Sequence, residues 1–190
     1  MNPIALAGPA VEPIPLAQMK SYLRLDGEDE DDLVEALVMA ARVTVERHAR
    51  LLLISQSWRL TLAAWPAGRT VRLPLHPILG IDEVRIAGEG DSPTIVPPGL
   101  YRLDSEGDVD RLVVDESAPA PTGRSGRIEI DVACGFGGDP ASVPQPLILA
   151  MSRLVAHWFE HRGDEPRPGG AGLPADVAAL VAPFARPRLA

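Results

Sequence analysis

From Leu33 to His48, apolar and small residues recur three and four positions apart: Leu33, Ala36, Leu37, Ala40, Ala41, Thr44, Val45 and His48. That is the helix period. Asp29 to Asp32 place negative charge in the first turn, where the helix dipole favours it. No Gly or Pro interrupts Asp29 to Trp58. The pattern predicts a helix over 31–53, roughly 35 Å long at ~1.5 Å per residue. Three shorter stretches read as helices too. Pro15 opens one over 16–23, with Leu16, Met19, Tyr22 and Leu23 on one face, since its missing N–H is unpaired at a helix start anyway. Pro144 and Pro146 open another over 145–162, with an apolar face of Leu147, Ala150, Met151, Leu154, Val155 and Trp158. Pro174 opens a last one over 175–184, in which Pro183 kinks or ends the helix.

Between the helices the period changes to two. Trp58, Leu60 and Leu62 alternate with Arg59 and Thr61, a half-buried strand. Val71, Leu73 and Leu75 form a second, and the Pro74 inside it argues for a sheet edge. Ile81 to Ala87 is a third. Leu100–Leu103 and Arg111–Val114 flank a turn and predict a hairpin. Ile128, Ile130 and Val132 form the last strand. The expected fold is α+β: a helical bundle core, made of the long helix and the C-terminal helices, with an inserted small antiparallel sheet or sandwich. Residues 1–15 read as a Pro-rich extended arm, 16–162 as the main domain with its β insertion at 57–134, and 163–190 as a flexible loop followed by a C-terminal helix and tail.

Composition narrows the function classes. The chain has 190 residues, a 46% hydrophobic fraction and only 4% aromatics, so its core is built from Leu, Val, Ile and Ala. No apolar run approaches the ~20 residues that span a bilayer, and the first residues lack the basic region of a secretory signal. The net charge is −8, with Lys20 the only lysine. Affinity for nucleic acid comes from cations that neutralise phosphates, so the chain is not expected to grip DNA; an acidic wall would let DNA slide past. Cys134 is the only cysteine, which excludes an intrachain disulfide and a multi-cysteine metal site.

The candidate chemistry is thin. His157-Trp158-Phe159-Glu160-His161 fits the H-x-x-E-H pattern of inverted zinc peptidases, and both histidines would share a helix face. A catalytic zinc needs a third protein ligand, and only Glu165 follows as a nearby carboxylate. Gly135-Phe136-Gly137-Gly138 does not run straight into a helix as a dinucleotide fingerprint does. Cys134 has no orienting group beside it, which a thiol nucleophile requires. Six of the seven residues from Asp26 to Asp32 are acidic, but their spacing lacks the Gly and Glu positions of an EF-hand loop. The expectation is no catalytic residue, no cofactor and no metal. The alternatives are a zinc-dependent hydrolase at 157–161 and a monomeric soluble interaction domain.

The order of several short signals carries more. Leu52-Leu53-Ile54-Ser55-Gln56-Ser57-Trp58 closes the long helix. Trp65-Pro66, Arg72-Leu73-Pro74, Pro77-Ile78, Pro97-Pro98-Gly99-Leu100-Tyr101 and Gly135-Phe136-Gly137 follow, and Val143-Pro144-Gln145-Pro146-Leu147 runs into His157–Arg162. Over roughly residues 14 to 162 this resembles the head–tail connector, or adaptor, proteins of tailed phages and gene transfer agents. The resemblance implies a structural virion protein made in the bacterial cytoplasm and located in the particle neck. It implies a homo-oligomeric ring, commonly a dodecamer, that joins the portal protein to a stopper or tail-completion protein, with DNA only passing through the channel. It also implies that the C-terminal segment docks on the portal. Carried onto this chain, that segment brings Leu173, Val177, Leu180, Val181, Phe184, Arg186 and Arg188. Deleting residues 173–190 is expected to abolish portal binding and leave the fold intact.

Overall fold

The computed structural model describes residues 1–88, 93–106, 109–123, 125–161 and 172–186. The fold is α+β, with helices and antiparallel sheets. The chain divides into a sheet unit, Met1–Pro9 with Ser55–Phe136, and a helical unit, Ala10–Ile54 with Gly137–Ala190.

In the sheet unit the strands are β1 (Asn2–Ala7), β2 (Gln56–Leu62), β3 (Thr70–Arg72), β4 (Ile78–Ala87), β5 (Thr94–Ile95), β6 (Tyr101–Asp104), β7 (Arg111–Val114) and β8 (Arg127–Cys134). They make a five-stranded sheet in the order β1-β2-β8-β4-β5 and a three-stranded sheet in the order β3-β7-β6. Every pairing is antiparallel. The last strand in sequence is thus the middle of the larger sheet. Its composition fits that place: Ile128, Ile130, Val132 and Cys134 alternate on one face and are fully buried. Trp58, Leu60 and Leu62 of β2 stand opposite Val132, Ile130 and Ile128 on that same face.

The other face carries charge. Arg59 stands opposite Asp131, and Arg85 opposite Glu129. Asp131 accepts two hydrogen bonds from Arg59, at 2.7 and 2.8 Å, and a further one from Arg85. Glu129 accepts from Arg127 at 2.7 Å and also pairs with Arg59 and Arg85. These cross-strand pairs tie β2, β8 and β4 together on the polar side as the apolar rows do on the other. The Arg59 hydrogen bond, with the charges of Arg59 and Arg85, holds the Asp131 carboxyl below the ordinary carboxylate range against the opposing effect of burial.

In the helical unit the elements are α1 (Leu16–Leu23), α2 (Asp31–Ala49), α3 (Gln145–Glu160) and α4 (Ala175–Val181), the last followed by a 3-10 turn, Ala182–Phe184. Helix α1 packs on α2, and α3 packs on both α2 and α4. Helix α2 ends four residues before the predicted boundary. Arg50 turns left-handed, at φ 57°, and the Leu51 N–H reaches back to the Glu46 carbonyl. The Glu46 side chain then accepts the Leu53 N–H at 2.9 Å. Leu51 to Ile54 are all buried. The stretch read as a last helical turn is instead a sealed, non-helical exit whose backbone is met by a carboxylate.

The buried face of α2 also differs from the predicted one. It consists of Val34, Val38, Ala41, Arg42, Val45, Glu46 and Ala49, while Ala36, Ala40 and His48 are exposed. Buried Arg42 and Glu46 satisfy each other at 3.1 Å, and Arg42 donates to Glu12 at 2.8 Å. In α1 only Met19 is buried and Tyr22 is exposed. The expected arm is divided: Asn2–Ala7 pairs along β2, whereas Ile14 is buried in the helical unit. Strand β3 is shorter than predicted and does sit at a sheet edge, stopping before Leu73 and Pro74.

Replacing Asp131 by Asn is expected to cost about 2 kcal/mol at neutral pH, the usual contribution of a charged hydrogen bond. A depressed carboxylate stabilises the fold above its unfolded pKa, and that stabilisation is lost as pH falls through the folded value. The gap between parent and variant in urea melts should therefore close on acidification below the ordinary Asp range. A gap that is unchanged from neutral pH to pH ~2 would contradict this. Glu46→Ala leaves Arg42 short of a partner and Leu53 N–H uncapped, and is expected to lower stability by about 3 kcal/mol in the same assay.

Candidate functional site

The residues singled out by sequence fall in two places in the helical unit. Helix α4 carries most of the predicted docking segment. Its position depends on two apolar residues four apart: Val177 and Val181 are buried, and α4 packs against α3. Beyond the 3-10 turn, the Arg186 N–H donates to the Ala49 carbonyl at 3.0 Å, and the Arg50 guanidinium donates to the Arg186 carbonyl at 3.5 Å. Arg153 of α3 pairs with Asp176 of α4 at 3.2 Å on an exposed surface. The segment is therefore docked on its own unit. Of the predicted residues, Val177 and Val181 are used internally, Leu173, Leu180, Phe184 and Arg186 remain partly exposed, and Arg188 lies outside the described residues. Removing 173–190 would take two buried valines, Val177 and Val181, out of the unit.

The second place is the end of α3. His157 and His161 are exposed, with ring centroids 4.5 Å apart. His161 Nδ1 bonds the His157 carbonyl at 2.8 Å, so one ring nitrogen is already committed to the helix end. Glu165 lies outside the described residues. Among the described residues, no group of three or more His, Cys, Asp or Glu side chains could hold a metal ion.

Two further candidates belong to the sheet unit. Burial, with the nearby carboxylates of Asp110 and Asp82, pushes the Cys134 thiol up to about 12. A thiol held protonated is not a nucleophile. At the end of β8, Gly135 has φ 126° and donates its N–H to the Pro77 carbonyl at 2.9 Å. The φ value requires glycine, and the bond secures the strand exit; an antiparallel β8 between β2 and β4 offers no βαβ unit for a dinucleotide. Gly137, in the helical unit, has φ 154°, and a Cβ there would come within 2.7 Å of Ser142 Oγ.

Sequence reasoning missed a groove of about 470 Å³ in the helical unit, lined by Val11, Ile14, Leu16, Val38 and Met39 together with Glu12 and Glu35. Met39 in its wall is exposed, as is Val43 one helical turn further along α2. The signal lay in α2: once Val34, Val38, Ala41 and Val45 are taken as the inner row, Met39 and Val43 are left over on the outer one. Among the described residues, no helix is long and apolar enough to cross a membrane.

With this geometry the chain can be set against solved structures. It is similar over 100% of its length to a chain, covered to 98%, in the neck of an empty GTA particle computed with C6 symmetry, at 27% identity and a TM-score of 0.83. The chain has the fold of a gene transfer agent neck protein. A chain of the virion of a native gene transfer agent (GTA) particle is similar at 28% identity and a TM-score of 0.81, again over 100% of this chain and 98% of that one. A third, from the neck of a native GTA particle computed with C12 symmetry, matches 97% of both chains at 25% identity and a TM-score of 0.74. No protein-family model matches the chain, and no curated protein does. The likeness takes in the sheet unit and the helical unit alike, and it agrees with the virion-neck location that the sequence resemblance implied.

Purified chain is expected to hold well under one zinc per molecule by elemental analysis, with no change on His157→Ala. Stoichiometric zinc that the substitution removes would favour the hydrolase reading.

Proposed function

We propose that the chain is a non-enzymatic structural subunit of a phage-like particle neck: an adaptor that assembles as a ring, twelve-fold, and joins the portal of a DNA-filled head to the stopper or tail-completion proteins. The single observation that carries the reading is the full-length likeness to GTA neck chains, at 25–28% identity with 97–100% of this chain covered. Two of those necks were computed with C6 and C12 symmetry, and a subunit of a cyclic ring must present two different surfaces that fit each other. The net charge of −8 suits a channel that DNA crosses without being held, because phosphates and carboxylates repel.

Portal docking falls to the C-terminal segment, through what its packing leaves outside. Val177 and Val181 hold α4 in place, and the partly exposed Leu180 and Phe184 are the apolar groups left to meet another protein's surface, with Arg186 beside them. Arg188 belongs to the same tail. The domain plan follows: residues 16–162 supply the connector body, with the β insertion at 57–134, and 163–190 supply the portal contact.

The test is electron microscopy of particle necks together with surface variants that spare the buried valines. Leu180→Asp combined with Phe184→Asp is expected to leave the circular dichroism spectrum intact and to lower co-purification with the portal at least tenfold, the effect of losing ~1.4 kcal/mol. Necks that lack this chain altogether would refute the reading. Unchanged portal binding by a folded double variant would remove the C-terminal assignment alone.

A further inference from the structure

The sheet unit leaves Met1, Ile4, Leu6, Leu79 and Ile95 exposed as its large apolar side chains among the described residues. Their placement is not scattered. Ile4 and Leu6 lie on β1, at one edge of the five-stranded sheet, with Met1 just before it. Leu79 and Ile95 lie on β4 and β5, at the opposite edge. Ile4 is 54% exposed, Leu6 46%, Leu79 48% and Ile95 59%. The middle of the same sheet carries its exposed-side charges in the Arg59–Asp131–Arg85–Glu129 network. A soluble sheet usually blunts its edges with charge; this one has charge in the centre and apolar residues at both rims.

The backbone is open at the same two places. Among the described residues, β1 pairs with β2 alone. β5 is two residues long and meets β4 only at Arg85 and Ile86, with the Val96 N–H on the Val84 carbonyl. From Ile78 to Glu83, β4 has a strand partner on the β8 side and none on the other among the described residues. That open stretch is six residues long, and so is β1. Direction fits as well. The five strands alternate, so β1 and β5 run the same way and β4 runs against both. A copy of β1 carried round a ring by a small rotation would lie antiparallel to β4, in line with β5. Its residues 2–7 would face 83–78, bringing Leu6 beside Leu79. Both of these residues sit at register irregularities, between Ala5 and Ala7 in one strand and between Ile78 and Gly80 in the other.

We propose that β1 of one copy adds to the open stretch of β4 in the next copy, so that the five-stranded sheets join edge to edge around the ring. The contact is heterologous, as ring closure requires. Main-chain hydrogen bonds supply its affinity, and the apolar rims supply its specificity, as in other strand additions. This inference rests on the ring-subunit reading above and names the surface that makes the ring.

The test uses particles assembled with cysteine pairs in one chain, Leu6→Cys with Leu79→Cys and Ile4→Cys with Leu79→Cys, oxidised with copper phenanthroline. The native Cys134 is fully buried and stays silent. At least one pair is expected to give a ladder of covalent multimers at multiples of 20.3 kDa, and none of the single substitutions should. Dimers from Leu6→Cys or Ile4→Cys alone would mean that like edges meet, which overturns the proposal. So would necks that contain the variant chains but yield no ladder from either pair, a result that leaves the neck reading standing. Ile4→Lys is expected to lower incorporation into necks about tenfold or more while the purified chain stays folded; undiminished incorporation would also overturn the edge contact. Absence of the parent chain from the particle removes the neck reading, and this inference with it.

Discussion

A carboxylate kept from water decides how the helical unit is built. Glu46 is buried, and that burial raises its pKa despite the Leu53 N–H and the Arg42 guanidinium that oppose the rise. A buried charge is tolerated only when it is paired and hydrogen-bonded, and Glu46 meets that condition by reaching in two directions. Along its own helix it holds Arg42, which holds Glu12 in turn. Past the helix end it holds the backbone of Leu53. The second bond fixes where α2 stops. It lets Leu51 to Ile54 run as buried non-helical chain up to the point where β2 begins. The Ala49 carbonyl, freed by the same stop, accepts the Arg186 N–H, so the C-terminal segment is anchored where the long helix ends.

The sheet unit shows the opposite arrangement of the same chemistry. There the ion pairs lie along one face of the sheet, half-buried around a buried Glu129, and three arginines share two carboxylates across three strands. Exposed ion pairs contribute little singly, while networks with two-pronged arginine contacts contribute more. Arg59 grips Asp131 by two nitrogens, which fixes register as well as adding attraction. Because Ile128, Ile130 and Val132 fill the reverse face, a slip by one residue would put carboxylates in the core.

How far the fold could be read from sequence follows from these features. The strands at 58–62, 81–87, 100–103, 111–114 and 128–132 are legible because one face is apolar and the other is not, so period two is written plainly. Strand β1 was not: Pro3-Ile4-Ala5-Leu6-Ala7 has no polar face to alternate with, and its Pro neighbours read as an arm. The phase of α2 was misread because Arg42 and Glu46 look like surface residues until their pairing is seen, which shifted the inner row from Leu33, Ala36 and Ala40 to Val34, Val38 and Ala41. Helix α4 was legible as a helix; that its Val177 and Val181 face home rather than a foreign protein was not, since an amphipathic stripe does not name what covers it. The family resemblance rested on the order of short Pro- and Gly-marked signals, and the solved neck chains match over that whole span and beyond it.

The thiol at the end of the central strand is chemically quiet. Cys134 is the only sulfhydryl in the chain, it is sealed from solvent, and it stays protonated far above physiological pH. A thiol sealed in this way and held protonated is a poor partner for disulfide exchange. Moving from reducing to air-saturated surroundings therefore leaves the chain's sulfur chemistry at Cys134 unchanged.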